Sequence, residues 1–169
     1  MGVNNYSHLL SPGRIGTMEL RNRMIVTAMG VNLAEADGSC GERMCRFLEE
    51  FARGGVGMVI TGVAGVAWPN GGNQPRQVAI SDDRFIPGLK AIADAVHAHG
   101  AKFAVQLHHG GVVSPEDMAA GRPVWVPSVP QPFPGGGTQQ VTDVWVQSEI
   151  DYATANFKPM PKVQYKELT

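Results

Sequence analysis

Ala101-Lys102-Phe103-Ala104-Val105-Gln106-Leu107-His108-His109-Gly110-Gly111 is the stretch on which the reading of the fold turns. Phe103 to Leu107 is apolar except for Gln106, and the run ends in a polar, glycine-rich tip. Near-continuous apolar runs of this length mark strands buried on both faces, and such strands occur in parallel sheets. A lone glutamine in one needs partners, because an unpaired buried amide costs about 1–3 kcal/mol. Gln106 therefore either bonds to backbone or a neighbouring strand, or faces a ligand at the C-terminal end of the strand, where parallel α/β folds place their sites.

The rest of the chain supplies the context for that strand. With 169 residues, 43% hydrophobic and 17% charged, the sequence has the makings of one globular domain with a real core. A net charge of −1 gives no electrostatic case for nucleic acid or an anionic membrane surface. No window approaches the roughly 18 continuous apolar residues of a membrane span. The first residues, Met1 to His8, lack the basic-then-apolar pattern of a signal peptide. Cys40 and Cys45 have no matching pair elsewhere, so neither a metal site nor a disulfide framework is expected, and a cytoplasmic protein with reduced thiols is.

Residues 9–23 read as a short hairpin turning at Gly16-Thr17. Met24 to Met29 reads as a short buried strand that runs into Gly30. Ser39-Cys40-Gly41-Glu42 has the form of a capping box. Met44, Phe47, Leu48, Phe51 and Ala52 then recur at helical spacing up to Gly54-Gly55. Cys45 lies near that apolar face and is expected to pack. Cys40, in the first turn, would have its thiol pKa lowered by the helix N-terminus if it acted in redox chemistry. Val56 to Val63 is a second apolar strand, and 64–84 a long loop with Asn70-Gly71-Gly72-Asn73 at its tip. A second helix spans Phe85 to His99, with Pro87 in its first turn and Gly100 as its stop. His97 and His99, in the last turn, suit the helix dipole better than a ligand.

Strand, helix, strand, helix, strand is the order of a parallel sheet with crossover helices. The strand starts lie about 33 and then about 45 residues apart, which fits a (β/α)8 barrel with enlarged loops and also a doubly wound sheet. The first strand is followed by no Gly-x-Gly-x-x-Gly, which counts against the doubly wound option. Beyond Gly111 the character changes. Residues 112–162 hold eight of the twelve prolines and two of the three tryptophans. The run of prolines from Pro123 to Pro134 rules out a helix there, and within this Pro/Gly-rich excursion Val141 to Val146 reads as a short strand. Tyr165 to Thr169 looks like the approach to another helix. Three parallel strands do not close a barrel. The third would present an apolar edge that calls for cover by something outside these residues.

Four stretches together resemble the N-terminal part of the old yellow enzyme family, in the branch near 2,4-dienoyl-CoA reductase and the NADH:flavin oxidoreductases. They are Leu10-Ser11-Pro12 with Ile15-Gly16, Glu19-Leu20 and Arg21-Asn22-Arg23; Thr27-Ala28-Met29; Gly54-Gly55-Val56-Gly57 through Ile60-Thr61-Gly62; and Val96-His97 with Gly100-Ala101-Lys102 and Gln106 through Gly111. The last is similar to the family's Gln-Leu-x-His-x-Gly-Arg signature.

The resemblance implies a (β/α)8 barrel holding FMN at the C-terminal ends of its strands. This chain, residues 1–169, would supply the N-terminal hairpin and about the first three strands. Gln106 would bond the flavin pyrimidine edge, and the backbone at Ala28, Met29, Gly30, Gly62 and Val63 would line the ring. His109, the motif's histidine, is the candidate substrate contact. The implied chemistry is NAD(P)H-dependent hydride transfer from reduced flavin to the activated C=C bond of an unsaturated carbonyl compound, an enone or enoyl thioester. Ala28 departs from the family's usual proline and Val112 from its usual arginine. The family's carbonyl-donor pair, proton-donating tyrosine and phosphate loops lie on later strands, so no catalytic residue is assigned. A second polypeptide or a C-terminal segment would complete the barrel. The alternatives are a truncated, non-catalytic binding or assembly module that pairs its open strand edge, for instance as a homo-oligomer, and a (β/α)8 enzyme of a different ligand.

Overall fold

A computed structural model describes residues 6–111, 113–126 and 158–159. A single turn of helix, α1 (Ser7–Leu10), leads into an antiparallel hairpin of β1 (Gly13–Ile15) and β2 (Met18–Leu20). The hairpin turns at Gly16, whose φ of 58° is a left-handed conformation that favours glycine. Then follow β3 (Ile25–Val26), α2 (Glu42–Arg53), β4 (Met58–Gly65), a 3-10 turn at Asp83–Phe85, α3 (Ile86–Ala98) and β5 (Lys102–His108). Strands β3, β4 and β5 form one parallel sheet in sequence order, as the alternation of strands and helices requires.

The core lies between this sheet and the two helices. Met44, Leu48 and Ala52 of α2 and Ile92 and Val96 of α3 are buried in one cluster with Val59 and Ala64 of β4. Val59 pairs with Phe103 and Thr61 with Val105, so these four share the sheet face turned to the helices. Met58 and Ile60 of β4, with Ala104 and Gln106 of β5, lie on the opposite face. Phe47 and Phe51 meet edge to face at 5.1 Å between centroids, one turn apart on α2.

Arg21 joins the ends of both helices to the sheet. Its guanidinium donates to the carbonyls of Ala52 at the end of α2, of His99 just past α3, and of Val56 ahead of β4. Helix C-termini leave carbonyls without intrahelical partners, and a cation there also matches the helix dipole. Asn22 acts beside it, donating to Gly55 O at 2.7 Å and accepting from Met24 N at 3.1 Å. The Arg-Asn pair is thus an anchor for the first two β/α units.

Several expectations need correction. The first strand pairs over Ile25–Val26 alone, because the chain from Thr27 onward leaves the ladder. Ser39 does not cap α2: Gly41 occupies the N-cap, and Ser39 is held by Asp37, whose Oδ1 accepts from both its hydroxyl (2.7 Å) and its amide (3.0 Å). Cys40 has no lowered pKa. Burial pushes its thiol up to about 11. Cys45 packs as expected, its Sγ 3.8 Å from Ala91 O. β5 is not buried on both faces: it is the outer strand of the sheet, and Lys102, Gln106 and Leu107 are exposed, Leu107 by 66%. Finally, ahead of the proline run lies a short helix that the sequence pattern left unassigned. This helix, α4 (Pro115–Ala119), has Pro115 suited to a first turn, and β6 (Trp125–Val126) pairs in parallel with β7 (Lys158–Pro159). Val112, the proline run from Pro127, Val141 to Val146 and the final residues lie outside the described residues.

Candidate functional site at the strand tips

The C-terminal ends of β3, β4 and β5 gather five of the six residues expected at a cofactor, and an irregularity in the ladder places the sixth. Thr61 pairs with Val105 and Ala64 with Leu107. Between these rungs β4 carries Gly62 and Val63 where β5 carries only Gln106, so two residues face one in a β-bulge. Bulges re-aim side chains and recur beside active sites. Gln106 shares its sheet face with Ala104, away from Val105 and the helices. It is exposed, and its side chain makes no hydrogen bond to another described residue.

Met29 closes the same corner from β3. A Cβ built on Gly62 would lie 2.1 Å from Met29 O and 2.5 Å from Met29 N. The glycine is therefore required by the backbone of this chain itself, rather than by the approach of a flat ring. Ala28 is half-buried, Met29 and Gly30 are exposed, and Gly30 is covered on one side by the Gln74 side chain, whose Nε2 donates to Gly30 O at 3.3 Å. Gly30, Gly62, Val63, Gln74 and Gln77 enclose a cavity of about 10 Å³, no more than a single water needs. A larger groove of about 420 Å³ lies on the β1–β2 hairpin between Arg14, Glu19 and Arg21, and shares no residue with the strand tips.

The loop between β4 and the 3-10 turn contributes side chains that sequence reading passed over. Asn73, Gln74 and Gln77 belong to it; four carboxamides in the eight residues from Asn70 to Gln77 were the available signal. Gln77 is 1% exposed, and its Oε1 accepts from Asn73 N at 2.9 Å. Its Nε2 consequently faces His108 Nδ1, 3.4 Å away, as a donor. Nδ1 is then the acceptor, and the neutral ring carries its proton on Nε2, which faces the Asn73 carboxamide at 3.5 Å. A proton there calls for an acceptor. Asn73 Oδ1, buried and otherwise without a partner, supplies it when the amide is turned that way. Burial lowers the pKa of His108, in keeping with a ring held neutral between two amides.

His109 makes different contacts. Its Nδ1 accepts from Gly111 N at 3.1 Å, which places the proton of the neutral ring on Nε2. That Nε2 is buried with no partner, and the ring packs on Gly71, where a Cβ would come within 2.6 Å of it. Burial lowers the pKa of His109, with Asp117 pulling it up and His108 pushing it further down. Among the described residues no cluster of His, Cys, Asp or Glu could hold a metal ion, and no helix is long and apolar enough to cross a membrane.

Parallel strand tips of this kind, with a bulge, an exposed carboxamide and unpaired polar atoms, are where β/α barrels place their ligand sites. The fold is the first part of such a barrel, its hairpin and first three strands. An Old Yellow Enzyme from Pichia sp. AKU4542 superposes with a TM-score of 0.71 at 21% identity, covering 92% of this chain and 38% of the enzyme, which shows the fold. The model of the NADH:flavin oxidoreductase / NADH oxidase family matches residues 8–158, and the chain belongs to that family, whose cofactors are FMN and NAD(P)H. The NADH oxidase of Thermoanaerobacter brockii is 36% identical over 141 residues, 83% of this chain and 22% of the relative. A 2-naphthoyl-CoA reductase, solved in complex with 2-naphthoyl-CoA, is 31% identical with a TM-score of 0.62, over 64% of this chain and 16% of that one. The chain thus spans less than a quarter of the length of the NADH oxidase it matches.

Proposed function

We propose that this chain builds the first three strand tips of the flavin site in an FMN-dependent oxidoreductase that reduces the activated C=C bonds of enones or enoyl thioesters with NAD(P)H. The chemistry supplied by bound FMN is hydride transfer from the nicotinamide to such a bond. The observation that carries the reading is the bulge that sets Gly62 and Val63 against Gln106. It leaves a carboxamide on the open face of the sheet, able to donate and accept along the polar edge of a flavin. The backbone of Ala28, Met29 and Gly30 borders the same corner. Gln74 Oε1, buried and unpaired beside Gly30, is a further acceptor for a ligand N–H. His109 would hold the substrate oxygen through its unpaired Nε2–H, which requires the Gly71 segment to move aside.

In this reading the remaining strands come from a second polypeptide or a further segment, supported by the exposure of Leu107 and an outer edge of β5 that no described strand pairs with. A cytoplasmic location belongs to this reading and is supported by the unbridged thiols of Cys40 and Cys45. The test is a visible absorption spectrum of the full chain purified with whatever polypeptide accompanies it. A flavin spectrum that weakens in Gln106→Leu is the expected result. A colourless sample that takes up no added FMN would overturn the reading and leave a non-catalytic assembly module.

A further inference from the structure

Asp117 is the one buried charged residue in the described part of the core, its side chain 1% exposed. A carboxylate so placed needs hydrogen bonds and a counter-charge, or its burial costs several kcal/mol. It has both. Oδ1 accepts from Arg122 Nε at 2.8 Å, and Oδ2 accepts from the backbone N–H of Gly71 at 2.6 Å. Arg122 reaches the same loop independently, donating from Nη2 to Pro69 O at 3.2 Å and to Glu116 O at 3.1 Å.

What Asp117 grips is the residue lying on the His109 imidazole. Gly71 takes a φ of 72° and has no Cβ; one placed there would strike the ring at Cδ2 and Nε2. Its carbonyl is held too, by Gly110 N at 2.9 Å. The Gly71 peptide is thus fixed at both ends, by α4 through Asp117 and by the tip of β5 through Gly110, with the imidazole beneath it.

We propose that Asp117 is a positioning residue for His109: through Gly71 it holds the loop closed over the imidazole and sets a buried negative charge beside the ring, so that Nε2 meets a carbonyl or carboxylate oxygen of the ligand only when the Gly71 segment moves aside. The ligand clause rests on the proposed function, in which His109 meets the substrate; the coupling of Asp117 to His109 does not. Two titratable groups act on the His109 ring, Asp117 from α4 and His108 from β5, and of these Asp117, itself paired with Arg122, is the one whose charge favours the protonated ring.

The test reads His109 directly by NMR titration of the full chain labelled at its histidines, with His108→Gln used to assign the signals. Asp117→Asn keeps the shape and an acceptor for Gly71 but removes the charge. The expected result is a lower titration midpoint for His109, with His97 and His99 unmoved and Glu116→Gln close to the parent chain. An unmoved or raised His109 midpoint in a folded Asp117→Asn chain overturns the proposal. Should that variant fail to fold, Arg122→Gln takes its place: loss of the counter-charge should raise the midpoint, and an unchanged or lowered value overturns the proposal equally. Because no flavin enters the measurement, loss of this coupling and loss of the flavin reading are separate outcomes.

Discussion

Gly62 and Met29 touch backbone to backbone: a methyl group on Gly62 would stand 2.1 Å from Met29 O, 2.3 Å from its carbonyl carbon and 2.5 Å from its nitrogen. No side chain is present that might swing away, so any β-carbon has to push two strand tips apart. Gly62→Ala is expected to destabilise the fold by about 1–3 kcal/mol, the usual cost of overpacking, or more. Gly30→Ala is the informative comparison. Its β-carbon would meet only the end of the Gln74 side chain, which can turn. The expected result in a urea titration is a clearly lower midpoint for Gly62→Ala and a smaller loss for Gly30→Ala. Equal losses would mean that strand-tip packing is not what selects glycine at position 62.

Arg21 should matter far beyond its exposure. Three carbonyls from three segments converge on one guanidinium, and hydrogen bonds to a charged group are each worth about 1.5–3 kcal/mol. They are not additive, and part of the group is open to solvent. Arg21→Ala is therefore expected to cost about 2–3 kcal/mol rather than the sum. Arg21→Lys should recover only part, because an ammonium lacks the planar fork that reaches several acceptors at once. Thermal unfolding followed by circular dichroism measures both; a lysine variant as stable as the parent would show that charge alone suffices.

The hairpin and helices were legible from local pattern, because glycine stops and 3.6-residue stripes are local physics. Gly16, Gly55 and Gly100 all take positive φ where the sequence places a turn or a helix stop, and Met44, Leu48 and Ala52 do form the buried face of α2. Other features depend on partners that no local pattern names. Gln106 looks buried in sequence because its neighbours are apolar, yet the strand is outermost here and the residue is exposed. Ser39 had the right spacing for a cap but lost its hydroxyl to the closer Asp37. Asp117 pairs with a backbone amide 46 residues away, and the prolines that follow it masked the short helix on which it sits. The Gly62–Val63 bulge is a property of register between two strands and has no signature in either alone.

The two thiols should be slow to react. Burial carries Cys40 to about 11, and burial with the nearby Glu49 also raises Cys45. At pH 7 a thiol at about 11 is roughly one part in ten thousand thiolate, some hundred-fold below an ordinary free cysteine. Labelling of the native chain with a thiol-specific disulfide reagent is expected to proceed much more slowly at Cys40 than at free cysteine, and to accelerate in denaturant. Rapid native labelling at Cys40 would place it in a more open setting than the structure shows.

Acid should loosen the loop that closes over the strand tips. His108 and His109 both have pKa values held below the 6.5 of an unperturbed imidazole, chiefly by burial. The unfolded chain therefore binds protons at these rings at a higher pH than the folded chain does. Stability rises with pH wherever the unfolded state holds more protons, so this contribution is complete above about pH 6.5 and is lost as pH falls through the folded-state values. The mechanism is visible at His108: a second proton on Nδ1 would face the Nε2–H of Gln77, replacing an acceptor with a donor. Asp37 adds a separate acid loss at lower pH, since its hydrogen bonds from Ser39 hold it below 3.8. Unfolding midpoints should thus decline between pH 7 and pH 5, ahead of any carboxylate titration. The decline should be shallower in His108→Gln, which keeps an amide between Gln77 and Asn73 and cannot take up the proton. A pH dependence of the same steepness in that variant would remove His108 from the linkage and leave His109 as its source.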